Sequence, residues 1–183
     1  MKCIVALGNP GNKFKNTRHN VGVLILEEWI KSKQFLPLKE EEKFFGKITK
    51  VQRKKDVFLL ATPTTYMNES GKCAAKIVSY YKILLENFLI IHDELDLQLS
   101  KFRFSFGRNS AGHNGVQSIF DALGTNEFHR LRVGIAPHDP ELILFRRSDP
   151  SAFVLGKFTR GEKTTLEKYF SEIFFALDAW LDK

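Results

Sequence analysis

Apolar residues follow two rhythms along the chain, and the rhythms alternate. Residues 2–8 are a short apolar run closed by Gly8-Asn9-Pro10-Gly11, and across 20–33 Val21, Leu24, Ile25 and Trp29 recur at helical spacing. That predicts strand, loop, helix. Residues 44–51 and 57–61 read as antiparallel strands joined by the charged turn Arg53-Lys54-Lys55-Asp56. Across 68–83, Ala74, Ala75, Ile77, Val78 and Tyr81 share one helical face, and 88–91 is apolar on both sides, as a buried central strand requires. Residues 101–106 alternate charge or hydroxyl with Phe, 114–123 predict a short helix, and 131–136 another strand. From 162 to 181, Leu166, Tyr169, Phe170, Ile173, Phe174, Leu177, Trp180 and Leu181 predict one long C-terminal amphipathic helix. Residues 137–151 show no regular pattern and are expected to form a mobile loop, and the KEEEK run at 39–43 a solvated surface segment. The alternation places the chain in the α/β class: a single globular domain over 1–183, with a twisted mixed sheet sandwiched by helices.

Composition narrows the setting. With 43% apolar and 13% aromatic residues among 183, a continuous core is available and wholesale disorder is excluded. The first apolar run is too short for a signal-peptide core, and no stretch suits a membrane span, so the expectation is a cytoplasmic protein without a membrane partner. Cys3 and Cys73 form neither a CxxC nor a zinc spacing and read as reduced core thiols. Lys and Arg total 28 against 21 Asp and Glu, a formal charge of +7, which points weakly to a polyanionic partner.

In open α/β sheets, sites gather beyond the carboxyl ends of the strands, so polar residues just after strands are the first candidates. Asn9 follows the first strand, Asn68 the TPTTYM loop, Asp93 the FLII run, and Asn114 heads its helix; His19 and Asn20 enter the first long helix. Taken singly, Asn20, Asn68 and Asn114 are equally expected as helix caps. Together they describe a centre. An imidazole at a helix N-terminus is kept from becoming imidazolium, and a carboxylate such as Asp93 on its second nitrogen fixes the tautomer. No Ser or Cys stands in a nucleophile elbow, so the nucleophile is expected to be water. Gly8-Asn9-Pro10-Gly11 lacks both GxGxxG and GK[ST], and the His92-Asp93 and His138-Asp139 pairs lack a further ligand set; no cofactor and no metal are expected.

The segments ALGNPGNKFKNTRHNVG, TPTTYMNESG, IIHDELDL, SAGHNGVQSI, FHRLRVGI and FVLGKF, in this order and over essentially the whole chain, resemble bacterial peptidyl-tRNA hydrolase. The resemblance implies a metal-free, monomeric α/β enzyme that cleaves the ester between a peptide and the 3′ ribose of tRNA, with the acceptor stem and 3′ end of peptidyl-tRNA as its partner. Carried over by motif, His19 is the catalytic base, Asp93 holds it in its basic form, and Asn9 contacts the peptide side. Phe14, Tyr66, Met67, Asn68 and Asn114 line the substrate groove. A basic clamp for the phosphate end includes Arg132, the second arginine of RLR.

The chain departs from the family pattern at Phe14, usually Tyr, at Thr62, often Lys, and in GRNSAGHNG, which is poorer in glycine than usual. Ser105 occupies a commonly basic position, so Arg103 or Arg108 must supply the second half of the clamp, and Arg103, on the same strand face as Ser105, is the first candidate. The competing class is a non-catalytic RNA-binding relative of the same fold. His19 together with Asp93 argues against it.

Overall fold

The computed structural model describes every residue except Lys54. Its strands are β1 (Lys2–Ala6), β2 (Lys39–Glu41), β3 (Gly46–Arg53), β4 (Asp56–Pro63), β5 (Phe88–Gln98), β6 (Phe102–Phe106) and β7 (His129–Ala136). The helices are α1 (Val21–Ser32), α2 (Ser70–Tyr81), α3 (Asn114–Leu123), α4 (Pro140–Ser148), α5 (Pro150–Leu155), α6 (Arg160–Lys168) and α7 (Phe170–Leu181). The strands form one mixed sheet in the order β2-β3-β4-β1-β5-β7-β6. β4, β1, β5 and β7 run parallel through its middle, with antiparallel β2-β3 at one side and β6 at the other. Of the expected charged turn, Arg53 and Asp56 face each other at the end of the ladder, and Lys54 lies outside the described residues.

The central strands bury alternate residues on opposite faces. Ile4, Ala6, Leu89 and Ile91 join the core under α1 and α7, whereas Cys3, Val5, Leu7, Phe88 and Ile90 join the core under α2 and α3. A run apolar on every residue is what a strand covered on both sides needs. Truncating a central residue such as Ile90 to alanine costs about 2–5 kcal/mol, because neither helical layer can collapse into the gap.

Two expectations are corrected. The C-terminal segment is two helices, broken at Tyr169, where the backbone turns to φ −99°, ψ 0°. The apolar period runs through the break, but the halves answer to different partners: Glu162 of α6 is buried against Arg18, whereas Ile173, Leu177 and Trp180 of α7 pack on the sheet. Residues 137–151 contain α4 and the start of α5, each opened by an Asp cap followed by Pro; α4 buries no residue, which is why its apolar pattern is weak. The KEEEK run is mostly exposed, as expected of a solvated segment, and forms the short edge strand β2 before a 3-10 turn at Glu42–Phe44.

Gly22 sits where α1 crosses the end of β5. A Cβ there would come within 2.5 Å of the Ile91 carbonyl oxygen, so only glycine allows this approach. The contact brings the turn before α1 over β5.

Candidate active site

The segment carrying His19 is a buried 3-10 turn, Arg18–Asn20, at the head of α1. It is pinned from both sides. Thr17 bridges Lys157, the Arg18 amide donates to the Gly156 carbonyl at 3.0 Å, and the Arg18 guanidinium donates to Glu162 at 2.8 Å. That guanidinium also lies 4.3 Å from the Phe153 ring centroid. Asn20 stands at the cap position of α1 but makes no capping bond; its Oδ1 accepts from the Asn9 amide and its Nδ2 donates to the Asn9 carbonyl, both at 2.9 Å. The first loop and the His19 turn are thereby one unit.

β1 ends its pairing with β5 at Ile91, and β5 continues to Gln98 beside β7, so Asp93 lies within a strand, just past the end of its central neighbour. The Asp93 side chain is buried, and its Oδ1 lies 2.8 Å from Nδ1 of His19 and 2.9 Å from Nε2 of His113. Burial pushes the Asp93 carboxyl up, but the charges and hydrogen bonds of His113 and His19 outweigh it and hold the group well below the usual carboxylate range. An ionised carboxylate only accepts, so both rings must donate to it.

The His113 tautomer is set independently. Its Nδ1 caps α3, accepting from the amides of Gly115 at 3.1 Å and Val116 at 3.2 Å, which leaves the proton on Nε2 to donate to Asp93. With Nδ1 of His19 donating to the same oxygen, Nε2 of His19 is the bare nitrogen, and His19 lines the groove with Asp93, His113 and Asn114. His92, edge to face with His113 at 4.8 Å, is buried and held well below the usual imidazole range, first by desolvation and then by the neighbouring His113.

Oδ1 of Asn9 accepts from the Met67 amide at 2.9 Å, so its Nδ2 is the end left to donate outward. Met67 is buried under Gly115, while Asn68 and Asn114 are exposed. Neither asparagine caps its helix, since Asn68 lies inside the turn before α2 and Asn114 follows the true cap His113. Phe14 and Tyr66 meet edge to face at 6.3 Å and form an aromatic wall. The groove of about 240 Å³ gathers His19, Asp93 and Asn114; Asn9, Met67, Asn68, Phe14 and Tyr66 form a second group, joined to it through the Asn9–Asn20 clasp.

Beyond Glu94 and Ala111 the groove passes into a recess of about 450 Å³ that holds Arg103, Ser105, Arg108, Arg130 and Arg132. Arg103 faces Arg132, and Ser105 faces Arg130, across the β6-β7 ladder. Nε of Arg132 donates to the buried Glu94 carboxylate at 2.8 Å. Sequence reasoning missed the parts played by His113, Glu94 and the Arg18–Glu162 pair. For His113 a signal was present, because a histidine two residues before a buried helical glycine can cap through Nδ1. His19, Asp93 and His113 also offer three metal-ligand atoms within 4.8 Å of one another, the one such group among the described residues, although their protons already occupy the lines between them.

Fold and site define an α/β protein with a buried histidine–aspartate pair opening on a groove. The model of the family described as peptidyl-tRNA hydrolase matches residues 3–183, and the chain belongs to that family. It is 40% identical over 182 residues to the peptidyl-tRNA hydrolase of Lawsonia intracellularis, covering 97% of this chain and 86% of that protein. To the enzyme of Pseudomonas putida it is 41% identical over 179 residues, covering 97% and 87%. The crystal structure of the Acinetobacter baumannii peptidyl-tRNA hydrolase superposes with a TM-score of 0.86 at 33% identity, covering all of this chain and 89% of that one. No helix among the described residues is long and apolar enough to cross a membrane.

Proposed function

We propose that the chain hydrolyses the ester between the last residue of a nascent peptide and the 3′ ribose of tRNA, as a cytoplasmic monomer that returns tRNA from peptidyl-tRNA. The observation that carries this reading is the 2.8 Å bond from His19 Nδ1 to Asp93, which leaves Nε2 of His19 as a base beside the groove. A water bound there gives its proton to Nε2 as its oxygen attacks the ester carbonyl, and Asp93 stabilises the imidazolium that forms. The tetrahedral oxyanion is steadied by side-chain amides, with Asn114 on the groove and exposed Asn68 beside it, while Asn9 presents Nδ2 to the peptide side of the substrate. Collapse breaks the bond to the ribose oxygen, which takes the proton from Nε2, giving a peptide acid and a free 3′ hydroxyl. An ester has a good leaving group, so one base and several amide donors suffice.

Phe14, Tyr66 and Met67 hold the substrate chain, and Arg103 and Arg132 belong to the phosphate-facing recess. A purely RNA-binding role leaves the buried His19–Asp93 pair without a task. Incubation with an N-acetylated aminoacyl-tRNA and the matching free aminoacyl-tRNA tests the reading: release of tRNA from the blocked ester alone is expected, and release from neither would overturn it.

A further inference from the structure

The side chain next to His19 is held by one short stretch of chain, residues 153–162. Arg18 is 3% exposed; its Nε and Nη2 donate to Glu162 at 3.3 and 2.8 Å, and its Nη1 donates to the Phe153 carbonyl at 3.4 Å. The rings of Phe153 and Phe158 lie 4.3 and 5.8 Å from the guanidinium carbon. The backbone repeats the attachment, since the Phe158 amide donates to the Asn16 carbonyl at 3.2 Å and the Arg18 amide to that of Gly156 at 3.0 Å.

Gly156 is shaped to this guanidinium. A Cβ there would stand 2.8 Å from Nη1 of Arg18, which cannot swing aside without giving up its fork on Glu162. The backbone itself does not ask for glycine, because φ −69° and ψ 147° suit any residue. What glycine supplies is room.

The same stretch forms a wall of the groove. Pro150, Ser151 and Val154 of α5 line it together with His19, whereas Arg18 does not reach it. Among its six residues α5 buries only Phe153 and Val154, and it follows a helix that buries none. So short a helix has no stability of its own, and its place is set by Phe153 in the core and by Arg18 against Phe153.

Resting on the hydrolase reading, we infer that Arg18 is a positioning residue that couples the α5 wall of the groove to His19. A substrate seated against α5 meets Nε2 of His19 at an offset fixed by the guanidinium. Misplacing a reacting group by about 1 Å costs about 10²-fold, so the effect falls on the chemical step. Substrate binding is spared because Arg18 lies behind the wall.

The test is steady-state hydrolysis of N-acetyl-aminoacyl-tRNA by three variants, each assayed below its melting temperature. Arg18→Lys keeps the charge facing Glu162 and loses the fork, Gly156→Ala removes no bond and sets a methyl against the fork, and the double variant combines them. Each single variant is expected to lower kcat by about 10- to 100-fold with KM within about twofold of wild type. The double variant should fall no further than Arg18→Lys alone, because the methyl acts only through the guanidinium; a general loss of stability would not produce that pattern. In the substrate-free proteins, the Nδ1–H proton signal of His19 should be sharp in wild type and broadened in both single variants. Wild-type kcat in either folded single variant, a loss carried by KM, or losses that multiply in the double variant would overturn the coupling. Should Arg18→Lys not fold, Gly156→Ala decides alone through kcat and the Nδ1–H signal. If wild type does not cleave the ester, the hydrolase reading fails, and the signal still judges the coupling: broadening in Gly156→Ala upholds it, and an unchanged signal overturns it.

Discussion

The two neighbouring recesses differ in how their charges are answered. In the groove proposed as catalytic, the Asp93 carboxylate receives two ring N–H groups, the second ring is locked by a helix start, and the His19 turn is held by a buried ion pair. In the basic recess, the most buried guanidinium has two idle donors and no carboxylate in contact. Closed networks fix geometry; open ones wait for a ligand. On the proposed reading, the difference teaches that the proton-moving group is built in advance of substrate, whereas the basic recess keeps donors that the protein itself does not answer.

Breaking the closed network has the largest expected effect. His19→Ala should keep its fold and lower single-turnover hydrolysis by about 10²–10⁴-fold, since water loses its base. Asp93→Asn should be milder yet substantial, because the ring loses its charged partner and its enforced tautomer. The low Asp93 pKa also gives a sign for stability. A carboxyl depressed on folding contributes above its unfolded value of about 4 and loses that contribution as pH falls through the lower folded value. The gap in melting temperature between wild type and Asp93→Asn should therefore be open at neutral pH and close in strong acid.

Removing the clamp beneath the histidine comes next. Glu162→Ala leaves Arg18 buried and unpaired and should cost about 3–5 kcal/mol in denaturant unfolding. Glu162→Gln can still cap α6 and should cost less.

Asn9→Asp keeps the acceptor for Met67 and loses the Nδ2 donor. The rate ratio between blocked and free aminoacyl-tRNA should narrow, and an unchanged ratio with slowed chemistry would move Asn9 from selectivity to oxyanion support.

Much of the closed site was legible. Asn9 follows a strand, His19 and Asn114 stand at helix starts, and the doubly apolar FLII run located the central strand that carries Asp93, although that strand runs on through Asp93 rather than ending before it. His113 was not, because a preference for Asn at helix starts assigned the cap one residue late, and the ring nitrogen that caps α3 is a tertiary choice. The break at Tyr169 lies inside an unbroken helical period, so only the burial of Glu162 against Arg18 reveals it. α4 escaped because a helix that buries nothing has no apolar stripe to read. The resemblance pointed to Arg132 and strand alternation to Arg103, but no pattern in RLR tells which arginine a glutamate from β5 will neutralise.

The claim that the catalytic group is prebuilt is tested most directly by long-range ¹H–¹⁵N NMR of the histidine rings in the substrate-free protein at neutral pH. His19 should show a protonated Nδ1 and a bare Nε2, with His113 the reverse. A His19 ring protonated on Nε2 would contradict the account.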